Sequence, residues 1–197
     1  MTRKDIRERV LAAAMDAIAE RGMARLRMED VGRRVGMSPG HILYYYRSKQ
    51  QLLLETLRWS EDGLAAQRAR ELPAFPTALE RLERFIAIYL PTGAHQANWL
   101  LWLQVWALAP DDAEAASVTN AQQERWAGDL AHIVEHGRAR GEFSSDDPQA
   151  FAQEFLAVLR GLSLHILNNG AVLDRARASA VAMEFAGFRL GFVPAGE

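Results

Sequence analysis

Apolar residues recur along most of the chain every three to four positions, and no stretch alternates apolar and polar residues long enough to predict a strand. The pattern therefore predicts an all-α protein of about nine helices. Ile6, Val10, Ala13, Ala14, Ala17 and Ile18 mark one face of a first helix, which Gly22 stops after Glu20-Arg21. A short second helix is expected over Met28 to Val35, ended by Gly36. Ser38-Pro39 opens a third, with Ser38 as N-cap and Pro39 at the first helical position, and it ends near Tyr46-Arg47. Ser48 caps a fourth, with Gln51 at capping-box spacing; Leu52, Leu53, Thr56, Leu57 and Leu64 carry it toward Arg70. Leu72-Pro73-Ala74-Phe75-Pro76 then breaks the chain and reads as a hinge. Five more helices are expected over 77–90, 95–108, 112–139, 148–168 and 174–192, stopped at Pro91, Pro110, Gly141, Asn169-Gly170 and before Pro194. The last four residues, Pro194-Ala195-Gly196-Glu197, read as a frayed end.

Composition narrows the classes. Apolar residues make up 49% of the 197, enough to bury a sizeable core. The chain has no cysteine, which excludes disulfides, thiolate metal sites and thiol catalysis and fits a reducing cytoplasm. It opens Met1-Thr2-Arg3-Lys4-Asp5 without a basic-then-apolar leader, and apolar runs such as Trp99 to Leu103 fall short of a membrane span. A cytoplasmic protein without membrane insertion is expected. The net charge of −2 hides an asymmetry: residues 1–58 carry +5 and residues 59–197 carry −7. A basic head on an acidic body points to a polyanion met by the head alone.

Residues 28–47 give that head a shape. They read as a helix, a tight turn through Gly36, and a short second helix, the signature of a helix-turn-helix. Val31, Val35, Ile42 and Tyr45 are expected to support the second helix from beneath. Pro39, Gly40, His41 and Tyr44 lie at its exposed start. Small residues at 39 and 40 let the backbone approach base edges; His41 can donate or accept there, and tyrosines offer hydroxyls to phosphates and flat faces to thymine methyls. Arg47, Ser48 and Lys49 form the next junction, where cations and helix N-terminal amides suit a phosphate. Arg27 and Ser38, flanking the unit, and Tyr45 complete the expected DNA-binding set.

The ending Ala19-Glu20-Arg21-Gly22, the run Met28 to Ser38 and the run Tyr45 to Leu52 together resemble the tetracycline-repressor-type (TetR) family of bacterial regulators. The resemblance implies a three-helix DNA-binding head (1–47), a linking fourth helix (48–72) and a body (73–197) that dimerises and binds a ligand. Two departures stand out. Arg27-Met28 occupies the place where the family carries Ser or Thr before the second helix, and Leu43 stands where its recognition helix commonly has Tyr. Tyr44 is the substitute expected to make that contact.

In the body, one apolar stripe comprises Phe151, Phe155, Val158, Leu159, Leu162 and Ile166, and another Val181, Phe185, Phe188 and Phe192, with Gly161, Ala178, Ala182 and Gly187 among them. Paired with their symmetry mates, two such helices would make a four-helix interface, as the resemblance implies. Phe155, Leu159, Leu162, Ile166, Val181, Phe185, Phe188 and Phe192 are the expected dimer residues; the competing reading turns both stripes into the core of a single chain. Trp99, Trp102 and Trp106 fall at i, i+3 and i+7, and with Phe85, Tyr89 and Trp126 they are the expected lining for an apolar, aromatic or cationic effector. A solid core with no cavity fits the same residues. The region also resembles the C-terminal regions of choline-responsive, BetI-like regulators within the family, which identifies no ligand. His132 and His136 have a metal-compatible spacing, but no Cys is near and neither Asp129 nor Glu135 convincingly completes the set, so solvated or interface histidines are expected and neither metal nor cofactor.

No Walker loop, nucleophile elbow, dinucleotide fingerprint or His-Glu-x-x-His is present. The expectation is a ligand-responsive repressor, not an enzyme, that binds a palindromic DNA operator as a homodimer. The rival is a protein-interaction adaptor with a vestigial helix-turn-helix.

Overall fold

The computed structural model of the chain describes residues 2–168 and 173–193. Among the described residues it contains nine α-helices and no strand: α1 Arg3–Arg21, α2 Met28–Val35, α3 Pro39–Tyr46, α4 Lys49–Glu71, α5 Ala78–Tyr89, α6 Ala97–Leu108, α7 Ala113–Ala139, α8 Pro148–Leu167 and α9 Arg175–Leu190. The expected all-α class is correct, and the helix ends fall within about two residues of the caps and breakers read from sequence. The expected stop at Asn169-Gly170 and the tail Pro194-Ala195-Gly196-Glu197 lie outside the described residues.

Local chemistry explains the boundaries. Thr2 and Asp5 form a reciprocal capping box at the start of α1, and Thr77 and Glu80 form another on α5. Asp147 and Asp174 accept backbone N–H groups at the starts of α8 and α9. Gly36 and Gly191 end α2 and α9 in the left-handed conformation that a glycine adopts without strain. Ser48 accepts from the Gln51 N–H at 3.0 Å, but the Gln51 side chain turns to Glu114 at 3.3 Å instead of returning to the cap. The break at Leu72–Ala74 is a single 3-10 turn.

The helices gather into two compact units, Met1–Gly63 with His95–Ala121, and Leu64–Ala94 with Gln122–Glu197. In the first, α1 packs on α2 and on α6, and α2 packs on α3. Its core holds Leu11, Ala14, Ile18, Val31, Ile42, Leu52 and Leu57, all out of contact with water. Burial of each large side chain stabilises by about 1.5–3 kcal/mol before entropy is charged. Arg21 donates to the buried Asp30 at 2.7 Å, and Arg34 pairs with Glu20, so α1 and α2 are tied at two points.

In the second unit α8 packs on α9, and α9 on α5. Its core is built from Leu82, Phe85, Ile86, Leu130, Val134, Phe155 and Leu159. By length and mean hydropathy alone the α8 helix could cross a membrane, a test that a core helix also passes. Its stripe Phe151, Phe155, Leu159, Leu162 and Ile166 is instead buried within this unit.

Candidate nucleic-acid interface

The turn between α2 and α3 is fixed by backbone bonds and by one glycine. Gly36 takes φ +70°, and the Met37 N–H donates to the Gly32 carbonyl at 2.9 Å. A Cβ on Gly32 would collide with the Met37 carbonyl oxygen, so α2 and the turn touch at a point only glycine permits. Asp30 reinforces this corner, pairing with Arg21 and, at 3.7 Å, with Arg33. The sequence carries a signal for Gly32, an interior helix glycine whose cost must be offset by a close approach.

Ser38 caps α3, accepting from the His41 N–H at 3.2 Å. Ile42 and Tyr46, four residues apart, are buried and support the helix from beneath. Tyr45 does not take that role, contrary to expectation. One residue of phase places it outward, edge-on to Tyr44 at 5.6 Å and 5.4 Å from the His41 ring. The Tyr46 hydroxyl donates to the Arg7 carbonyl at 3.5 Å, and burial raises its pKa. Val35 is half-buried. The outer face of α3 therefore consists of Gly40, His41, Leu43, Tyr44 and Tyr45, with Tyr44 80% exposed. This face is polar-tipped, aromatic and eight residues long, the dimensions of a helix that enters a major groove.

The junction behind it adds charge. Arg27 is exposed and caps α2 without a side-chain bond. Arg47, at φ +60°, is the one positive-φ residue other than glycine among the described residues, and its guanidinium has no side-chain partner among them. Ser48 caps α4. Lys49 donates one hydrogen bond to the Leu26 carbonyl at 2.8 Å, leaving two N–H donors for a phosphate. Much of the basic head is internally neutralised, by Arg7–Glu55, Arg21–Asp30, Arg34–Glu20 and Arg58–Glu55 pairs. Arg27, Arg47 and Lys49 are the cations of the expected set that these pairs leave available.

The six aromatic residues expected to line one pocket fall into different units. In the first, Trp99 and Trp102 are buried, their rings 5.5 Å apart, while Trp106 stacks on Trp102 at 5.8 Å and is 48% exposed. In the second, the Trp126 ring meets the edges of Phe85 at 5.3 Å and Tyr89 at 4.9 Å. Its face is covered by the guanidinium of Arg68, 3.6 Å from the centroid, a cation–π contact supplied by the chain itself. Arg68 is 1% exposed and donates to Asp129 at 2.6 Å. Its position was readable: Leu64, Arg68 and Leu72 share one helical face, so a charge stands in an apolar stripe.

Of the expected dimer residues, Phe155, Leu159, Leu162 and Ile166 are buried within the single chain. Phe185 is half-buried and stacks on Phe155 at 5.8 Å; Phe192 is half-buried against Phe143 at 5.3 Å; Val181 is half-buried. Phe188 alone of the eight is fully presented to solvent, at 88% exposure. No group of three or more potential metal ligands is found among the described residues, and His132 and His136 stand apart from any such set.

Comparison with known proteins gives this geometry a lineage. Residues 10–56 match the pattern described as bacterial regulatory proteins, tetR family, and residues 78–188 match that described as BetI-type transcriptional repressor, C-terminal. The HTH-type transcriptional regulator BetI of Escherichia coli (strain K12) is 28% identical over 186 residues, covering 91% of each chain. Among solved structures, a transcriptional regulator from Saccharomonospora viridis in complex with choline is 26% identical, with a TM-score of 0.85, covering 95% of this chain and 98% of that one. A TetR-family transcriptional regulator from Rhodococcus sp. is also 26% identical, with a TM-score of 0.77 over 95% and 99% of the two chains. With more than half its length matched in the body and the helix-turn-helix matched at the head, the chain belongs to the tetR family of bacterial regulatory proteins, as a DNA-binding transcriptional regulator whose C-terminal part is of the BetI type.

Proposed function

We propose that the protein is a ligand-responsive repressor that binds a palindromic operator as a homodimer. The observation that carries this reading is the outer face of α3, where His41 and Tyr44 stand exposed on a helix anchored by Ile42 and Tyr46. Pro39, Gly40 and Tyr45 complete the base-facing surface, and Arg27, Ser38, Arg47, Ser48 and Lys49 meet phosphates. By function the chain divides into a reading head (1–47), a linking helix (48–72) and a dimerising, ligand-binding body (73–197).

Two copies pair through the outward faces of α8 and α9. Phe188, Leu164 and Gly161 are exposed there, while Phe155, Leu159, Leu162 and Ile166 form the layer behind. Two heads then grip successive major grooves about 34–36 Å apart. A small effector that favours another head spacing releases DNA by shifting the population. The relative from Saccharomonospora viridis holds choline. In this chain the exposed Trp106 ring is the member of the aromatic set most open to a ligand, whereas Trp126 already carries a cation on its face. The protein works in the cytoplasm, where the chromosome lies, and no reaction is assigned to it.

Selection of bound duplexes from a random pool tests the reading. An inverted repeat with half-sites one helical turn apart is expected. His41→Ala and Tyr44→Ala should each cost about 1–3 kcal/mol of operator binding with the oligomer unchanged. Wild-type affinity in both would remove α3 as the reading helix.

A further inference from the structure

A cleft of about 660 Å³ opens within the first unit, walled by the start of α1, the end of α3, the first turns of α4 and the start of α7. Its volume lies in the range of small-molecule sites, about 300–1,000 Å³. Ile6, Val10 and the rings of Tyr45 and Tyr46 give an apolar, aromatic wall. Lys4, Arg7, Arg47, Gln51, Glu55 and Glu114 give the polar one.

The charge balance of this cleft decides what it can hold. Its two carboxylates are already satisfied. Glu55 accepts from Arg7 and from Arg58 at 3.0 Å; Glu114 accepts from Arg58 at 3.0 Å and from Gln51 at 3.3 Å. Two arginines thus neutralise two acids, and the remaining lining charges are both positive. Lys4 pairs loosely with Glu8, at 4.0 Å, with both side chains mostly in water, where such a pair is worth little. Arg47 has no ion pair or side-chain hydrogen bond among the described residues and is held at φ +60°. Arg47 stands two residues before Lys49, the first residue of α4, so the cleft also has that helix N-terminus at hand, whose dipole favours an anion.

We infer that this cleft is a second effector site, one that takes a small aromatic anion, its ring on the Tyr45 wall and its acid group on Arg47. Arg47 is also a phosphate contact in the function proposed above, so an occupied cleft withdraws that cation from DNA. Binding itself is independent of the DNA reading; only the competition rests on it.

The test uses 2-naphthoate as probe and neutral 2-naphthamide as its control, with the full-length protein and no DNA, read by calorimetry and by chemical-shift changes of the Tyr45 ring and Ile6 methyl groups. Saturable naphthoate binding with shifts at both residues is expected. Arg47→Gln should weaken it by about tenfold or more, the loss of a charge-assisted bond, and Arg47→Lys should restore part of it. Ile6→Trp, which fills the wall, should block it, with circular dichroism confirming the fold of each variant. Equal binding of the amide, or naphthoate affinity unchanged in Arg47→Gln and Ile6→Trp, overturns the site. Naphthoate should also lower affinity for the selected duplex; binding without competition overturns the coupling to DNA. Failure of the protein to select any duplex would instead count against the DNA reading, while the calorimetric arm still decides the cleft.

Discussion

Gly32 sits in the interior of α2, where a glycine costs about 1 kcal/mol relative to alanine. The Met37 carbonyl lies where its Cβ would be, so the residue sets how closely α3 can stand to α2. Gly32→Ala should therefore destabilise by about 1–3 kcal/mol through overpacking, seen as a lower urea midpoint, and should also weaken DNA binding by displacing α3. An unchanged midpoint would mean that the turn yields freely. At this scale the sequence was legible wherever the signal was local. Ser38-Pro39, Gly36 and Ser48 announce their caps because capping involves residues three or four apart. Tyr45 was expected beneath α3 where Tyr46 stands because, in a helix of two turns, one residue of phase moves a side chain by about 100°. Arg68 was missed because its partners, Trp126 and Asp129, come from α7, some sixty residues on.

The helices carry their own terminators, and the caps make them sensitive to acid. At the start of α5 the Thr77 hydroxyl and N–H both donate to Glu80, holding its carboxyl below the usual value of 4.5. Hydrogen bonds from Arg84 do the same to Glu71 at the end of α4, and the Ala115 N–H does so to Asp112 before α7. Each carboxylate binds fewer protons folded than unfolded, so its contribution is complete above its ordinary pKa and is lost as pH falls through the lowered one. Thr77→Ala should cost about 1 kcal/mol at neutral pH. The difference between variant and wild type should narrow below pH 4.5, where Glu80 takes up its proton in either. A difference that stays constant into acid would show that the cap owes nothing to the carboxylate. Helix ends were readable at this scale, but helix partners were not. Nothing in the periodicity of α6 says that it packs on α1, because pairing depends on surfaces distant in sequence.

For the whole molecule, the division of charge, +5 before residue 59 and −7 after it, favours polyanion binding by the first 58 residues. The proposed dimer gives that end two copies of the reading helix. Phe188→Asp places a charge in the proposed interface and should yield monomers by sedimentation. Losing the second head should weaken operator binding by about 10²–10⁴ through lost avidity. A Phe188→Asp variant that sediments as wild type would move the interface elsewhere. The outward position of Phe188 was not separable from its neighbours in sequence, since the stripes on α8 and α9 read alike whether they face the core of one chain or a second copy.

That exposed phenylalanine has a consequence for the cell. In the proposed dimer, pairing through Phe188 makes assembly a matter of mass action, so the paired, DNA-binding form would accumulate with the square of the newly made chain while copies are scarce. The regulated genes would then answer to protein dosage as a threshold rather than in proportion, even before any effector arrives.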